Sequence, residues 1–178
     1  MNLALTITLL RFLLAPWLVW ELLQEHHTTA FGIFLIGSIS DALDGFIARR
    51  YNQCTPLGAL LDPLADKLLV ACGMLTLLWQ GHFPLWLACC VVLRDMIILG
   101  GAYAYRRATG RLEMQPLYLS KINTAVQFML VLVILADADG YVQFSPLLQP
   151  LIWLTFATTV SSGVQYVVEW SARARTFQ

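Results

Sequence analysis

Long apolar stretches alternate with short polar links along this chain, and each stretch is about the length of a membrane helix. Six stretches come close to the roughly 20 apolar residues that a helix needs to cross a bilayer: residues 3–24, 29–50, 58–80, 83–106, 116–136 and 146–171. Between them lie QEHHT, YNQCTPLG, QGHFP, RRATGRLEMQP and ADADGYVQFSP, whose Gly, Pro and polar residues signal turns. Links this short force neighbouring helices to run antiparallel. The pattern predicts an all-α integral membrane protein of six transmembrane helices, folded as one domain over residues 1–178, without internal repeats. The first run has no basic segment before it and no small-residue cleavage site after it, so it is expected to be a retained span.

Composition supports this picture. The chain is 58% hydrophobic and 12% charged, roughly half the charged fraction of an average soluble domain, and its mean hydropathy is +0.68. Formal net charge is zero, so bulk charge points to no nucleic-acid partner. The placement of charge says more. Arg49, Arg50, Arg106, Arg107, Arg111, Arg173 and Arg175 all fall at the even-numbered links or the C-terminal end. The odd-numbered links carry Glu25, His26, His27, His82, Asp137 and Asp139 and no Lys or Arg. By the positive-inside rule both termini are expected to be cytoplasmic. Cys54, Cys72, Cys89 and Cys90 have no metal-binding spacing, and the last three lie in apolar runs, as buried free thiols would. His26 and His27 fall at the outer interface and are expected to be surface residues. Most of the tryptophans lie near span ends, where they anchor helices at the interface.

The remaining cations, Arg11, Lys67, Arg94 and Lys121, fall inside spans, where a charge costs roughly 2.5–3.5 kcal/mol at the centre, so each is a functional candidate. At about 1.5 Å per helical residue, Asp41 and Asp44 lie roughly 12 Å and 8 Å before Arg49. Asp62, Asp66 and Lys67 follow Gly58 by a few turns at most, at the same end, and Lys121, Asn123 and Gln127 occupy the cytoplasmic half of span five. Arg94 and Asp95 lie deeper. The outer halves of the spans carry no Asp, Lys or Arg. The polar groups therefore outline a crevice open to the cytoplasm and closed partway through. A carrier needs polar lining reachable from both sides. An embedded enzyme needs only one, which places a divalent-cation carrier second.

Asp41 and Asp44 are three residues apart, and Asp62 and Asp66 four, so on helices each pair shares a face. The two helices are joined by a short link, so the pairs can oppose each other. Four bare carboxylates in one place would repel and protonate, whereas two divalent cations would cancel their charge. Hard oxygen ligands without His or Cys suit Mg²⁺ or Mn²⁺, and two such ions suit phosphoryl transfer. Gly45, Ala48 and Gly58 lack bulk, so a ligand could approach the helix backbone there, or they could be packing positions between helices. Arg49 could bind a nucleotide phosphate or serve as a positive-inside anchor.

The pattern Asp41-x2-Asp44-Gly45-x2-Ala48-Arg49-x8-Gly58-x3-Asp62-x3-Asp66 resembles the complete signature of the CDP-alcohol phosphatidyltransferases. The opening LTITLLRFLLAP is similar to the family's opening, with Thr8, Arg11 and Pro16 in register, although Ala4-Leu5 stands where relatives often carry Pro-Asn. The resemblance implies that a hydroxyl attacks the lipid-linked phosphate of a CDP-lipid and CMP leaves. It implies that Asp41, Asp44 and Asp62 are metal ligands and that Asp66 is a ligand of the second metal, the general base, or both. Asp44, Gly45, Ala48, Arg49 and Gly58 would line the CDP site. It further implies a homodimer in a bacterial inner membrane or its equivalent, with the active site facing the cytoplasm.

Two later stretches bear on the acceptor. QPLYLSKINTAVQ, from Gln115 to Gln127, and LTFATTVSS, from Leu154 to Ser162, resemble segments of the cardiolipin synthases of this family. The phosphatidylglycerophosphate synthases tend to carry a second Lys where Asn123 stands. Glycerol 3-phosphate brings a monoester near −2 and phosphatidylglycerol a diester at −1, and a site with one fewer cation fits the diester. The expected substrates are CDP-diacylglycerol and phosphatidylglycerol, with glycerol 3-phosphate as the alternative acceptor. Arg94, Lys121 and Asn123 are the candidates for the acceptor phosphate. The competing reading of Arg94 and Lys121 is pairing with Asp95 or another carboxylate.

Overall fold

The computed structural model describes residues 3–51, 56–109, 118–138 and 145–175, and the side chains of 10–40, 65, 67–101, 107, 118–138 and 146–169. Among them the chain forms six α-helices: α1 (Leu3–Leu23), α2 (His27–Tyr51), α3 (Pro56–Trp79), α4 (Leu85–Thr109), α5 (Tyr118–Ala138) and α6 (Ser145–Arg175). The six predicted segments and the six helices coincide to within a few residues at each end. Tyr118–Ala138 and Pro146–Glu169 are long and apolar enough to cross a membrane among the described residues, while His27–Ser40 and Lys67–Trp79 are shorter apolar stretches.

Both described odd-numbered links use the same helix-ending device. His26 N–H donates to the Glu21 carbonyl and Glu25 N–H to that of Leu22. At the end of α3, His82 N–H donates to Leu77 and Gly81 N–H to Leu78. These are the paired six-to-one and five-to-two bonds of a Schellman motif, which needs a left-handed residue between them. Gly81 meets that need at φ +82°, whereas Glu25 adopts φ +61° with a full side chain. Gln80 strengthens the first link by donating its Nε2 hydrogen to the Leu22 carbonyl.

The helices group into two compact units, Met1–Phe83 with Val131–Ser145, and Pro84–Leu130 with Pro146–Gln178. In the first unit α1, α2 and α3 all contact one another. The buried face of α1 carries Arg11, Leu14, Ala15, Leu18 and Leu22, a three-to-four-residue period. Its opposite face is equally apolar and exposed, with Leu10, Leu13, Trp17, Trp20 and Leu23. The second unit is apolar outside as well, with Leu93, Met96, Leu99, Val164 and Val168 facing outward, but its interior holds Arg94, Asn123, Thr159 and Ser162. Apolar outside and polar inside is the arrangement of a chain whose surface meets lipid.

Two sequence expectations need correction here. His27 is buried, edge-on to the His82 ring with centroids 5.6 Å apart, because the link turns it inward. His26 is exposed as expected, and its Nδ1 lies 3.0 Å from Glu21 Oε2, while Trp17 Nε1 donates to Glu21 Oε1. Cys72, Cys89 and Cys90 are free thiols, but none is fully buried: Cys72 and Cys90 are half-buried, and Cys89, on the outward face of α4, is exposed. Cys54 lies outside the described residues.

Candidate active site

Asp41 and Asp44 lie in α2 with Gly45, Ala48 and Arg49; Gly58, Asp62 and Asp66 lie in α3. The backbone is helical through all eight positions, and the side chains of all eight lie outside the described residues. Beside them the packing is tight. Gly37 stands one turn before Asp41, and a Cβ placed on it would sit 2.6 Å from Leu69 Cδ2, three residues beyond Asp66. Gly37 and Leu69 are both buried. With glycine at this position the Leu69 side chain lies directly against the α2 backbone, and no pattern in the sequence marks Gly37. Among the described residues no three His, Cys, Asp or Glu side chains cluster to hold a metal. Aspartate carboxylates are hard oxygen donors of the kind that suits Mg²⁺ or Mn²⁺.

The acceptor candidates lie in the second unit. Arg94 of α4 is buried and almost fully engaged. Its Nη1 donates to Asp95 Oδ1 at 2.7 Å, and its Nη2 donates to Ser120 Oγ of α5 at 2.6 Å and to Ser162 Oγ of α6 at 2.8 Å. The Tyr166 ring lies 6.0 Å from the guanidinium carbon, within cation–π reach. The pairing of Arg94 with Asp95, one of the two readings open from the sequence, is thus present. Asn123 is fully buried, and its Oδ1 accepts from Thr159 Oγ1 at 2.9 Å and from Thr158 Oγ1 at 3.0 Å. Lys121 is exposed.

Ser120, Thr158, Thr159 and Ser162 were not singled out individually from the sequence. A signal for them existed: on α6 the hydroxyls of Thr155, Thr158, Thr159 and Ser162 recur every three to four residues, and a polar stripe in an apolar helix turns inward. At the odd-numbered links, a cavity of about 450 Å³ is lined by Leu23, Glu25, His27, Trp79, Gln80, His82 and Ala138. Along α2 it begins some fourteen residues before Asp41, or roughly 21 Å at the helical rise.

Comparison with known proteins follows the same lines. The model of a family described as CDP-alcohol phosphatidyltransferase matches residues 1–161. The chain is 31% identical, over 96% of its length, to the CDP-diacylglycerol–glycerol-3-phosphate 3-phosphatidyltransferase 1 of Oryza sativa chloroplasts. It is 34% identical, over 90% of its length, to the CMP-forming cardiolipin synthase of Homo sapiens. It spans 57% and 58% of those two relatives' lengths. A Pseudomonas fluorescens CDP-diacylglycerol–glycerol-3-phosphate 3-phosphatidyltransferase is 31% identical over 94% of this chain and 89% of its own. Members of the matching family are integral membrane proteins and generally use divalent cations.

Proposed function

The chain belongs to the CDP-alcohol phosphatidyltransferase family, and from that premise we propose that it is a cardiolipin synthase, moving a phosphatidyl group from CDP-diacylglycerol to phosphatidylglycerol. All six helices cross the membrane in this reading, with both termini and the acidic crevice at the cytoplasmic face, in a bacterial inner membrane or its equivalent. The protein acts as a homodimer. Asp41, Asp44, Asp62 and Asp66 would hold two divalent cations, Mg²⁺ or Mn²⁺. Those ions, when bound, polarise the pyrophosphate and lower the pKa of the acceptor hydroxyl. Asp66 takes the proton from that hydroxyl. The hydroxyl oxygen bonds to the lipid-linked phosphorus, the bond from that phosphorus to the CMP oxygen breaks, and CMP leaves with the electron pair. Gly45, Ala48, Arg49 and Gly58, with Asp44, receive the CDP moiety. Arg94, Lys121 and Asn123 receive the acceptor phosphate.

Asn123 carries the choice of acceptor. It is buried and neutral, and it occupies a place where a second cation would suit a phosphate monoester near −2. A neutral amide matches a diester at −1 without leaving a buried charge unpaired. The similarity to the Oryza and Pseudomonas proteins favours a second reading with glycerol 3-phosphate as acceptor. Membership of an enzyme family favours either reading over a cation carrier. The test supplies purified protein with CDP-diacylglycerol, Mg²⁺ or Mn²⁺, and each acceptor in turn, and follows CMP. Release with phosphatidylglycerol is the expected result. Release with glycerol 3-phosphate alone replaces the first reading with the second, and release with neither ends both.

A further inference from the structure

We infer that Thr159 and Ser162 of α6 are positioning residues for the acceptor: they lock Asn123 and Arg94 so that Asn123 Nδ2 and Arg94 Nε are the donors left for its phosphate oxygens. The inference rests on the assignment of Asn123 and Arg94 to the acceptor made above. An asparagine amide is nearly symmetric in shape but not in chemistry, since a half-turn exchanges a donor for an acceptor. For an anionic ligand the difference decides between attraction and repulsion. Here Oδ1 accepts from two hydroxyls, so the amide can present only its NH₂ elsewhere.

The two hydroxyls do not contribute equally. Thr158 Oγ1 also lies 3.0 Å from the Leu154 carbonyl and 3.1 Å from that of Thr155, and it has a single proton to share among three acceptors. Thr159 is 1% exposed, and Asn123 is the hydrogen-bond acceptor described for its hydroxyl. Thr159 is therefore the principal lock. Three residues along, on the same face of α6, Ser162 and the facing Ser120 accept both Nη2 hydrogens of Arg94. With Asp95 on Nη1, the guanidinium plane is set.

The buried donors left over include one on Asn123 and one on Arg94, with Gln127 Nε2 one turn further along α5. Asn123 Nδ2 and Arg94 Nε have no hydrogen-bond partner among the described residues, although Asn123 is fully buried and Arg94 is 5% exposed. A buried N–H without an acceptor is costly, so a native fold keeps one where something else completes it. Both donors match the oxygens of a phosphodiester, and neither adds a charge beyond that of the paired Arg94.

The experiment compares steady-state kinetics of Thr159→Val, Thr159→Ser and Ser162→Ala with the wild type, varying donor and acceptor separately. Valine keeps the shape of threonine and removes its hydroxyl, so the Asn123 amide is free to turn its oxygen toward the phosphate. Thr159→Val should raise the acceptor KM about tenfold, the effect of one lost hydrogen bond, with the donor KM within about twofold of wild type. Thr159→Ser, which restores the hydroxyl, should return to within about twofold, and Ser162→Ala should raise the acceptor KM severalfold. An unchanged acceptor KM in both hydroxyl-deleted variants would overturn the inference. So would parallel rises of donor and acceptor KM that the serine variant does not rescue. If the wild type uses glycerol 3-phosphate instead of phosphatidylglycerol, the proposed function fails, and the same comparison on glycerol 3-phosphate still tests the locking residues.

Discussion

The two units solve the packing problem with different chemistry. The interior of the first is filled mainly by apolar side chains such as Leu18, Leu22, Phe34, Leu69 and Leu77, all at 0% exposure, with Arg11, His27 and Thr76 buried among them. In the second, Leu87, Ala88 and Val91 share the interior with Arg94, Asn123, Gln127, Thr155, Thr159 and Ser162. In lipid, burying an apolar side chain against another helix gains little, because the alternative surroundings are equally apolar. The first unit therefore depends on close fit, as at Gly37 and Leu69. The second depends on hydrogen bonds that have no substitute in a hydrocarbon. The region proposed to select the acceptor is thus held by the same groups that would bind it, whereas the helices that carry the proposed metal ligands pack mainly by shape.

The largest effect expected is on chemistry without packing. Asp66→Asn should lower CMP release by at least about a thousandfold, in line with loss of a group on which proton transfer and metal binding both depend, and leave thermal unfolding in detergent unchanged. Residual turnover near the wild-type rate would remove Asp66 from its proposed role. Next, Arg94→Ala should destabilise the protein by about 3 kcal/mol, because it removes a buried cation that bonds to Asp95, Ser120 and the buried Ser162. A drop no larger than that of a surface substitution would show that the second unit is not held by its polar bonds. Gly37→Leu probes the opposite mode and should cost about 2 kcal/mol by overpacking, with a loss of activity that follows the loss of folded protein. The smallest effect is expected at the α1–α2 link. Glu25→Gly removes a side chain from a left-handed position and should stabilise by about 0.5 kcal/mol, a rise of roughly 1–2 °C in Tm. No rise would mean that the Schellman geometry carries no strain there.

Much of the candidate site is legible in the sequence. Asp41, Asp44, Asp62 and Asp66 stand out because a carboxylate in an apolar helix is expensive, so its presence is informative. Arg94 and Asn123 stand out for the same reason, and the structure buries both. Their partners were harder to see. Ser and Thr satisfy themselves on their own helix, as Thr155 does on the Leu151 carbonyl and Thr124 on that of Ser120. A hydroxyl in a membrane helix is therefore cheap, and the sequence does not separate the self-satisfied Thr155 from Thr159, which reaches across to α5. Gly37 was invisible for a related reason, since a glycine that admits a neighbouring helix reads the same as one that admits nothing.

The sequence alone determined the six helices and singled out the candidate site residues, because apolar run length and the cost of buried charge are local properties that each residue carries with it. It did not determine which face of each helix turns inward. Leu14 and Leu13 on α1 are equally apolar, yet the first is buried and the second is 69% exposed. That choice came from packing: lipid and protein interior attract an apolar side chain alike, so only the fit of small residues and the pairing of buried polar groups could orient the helices.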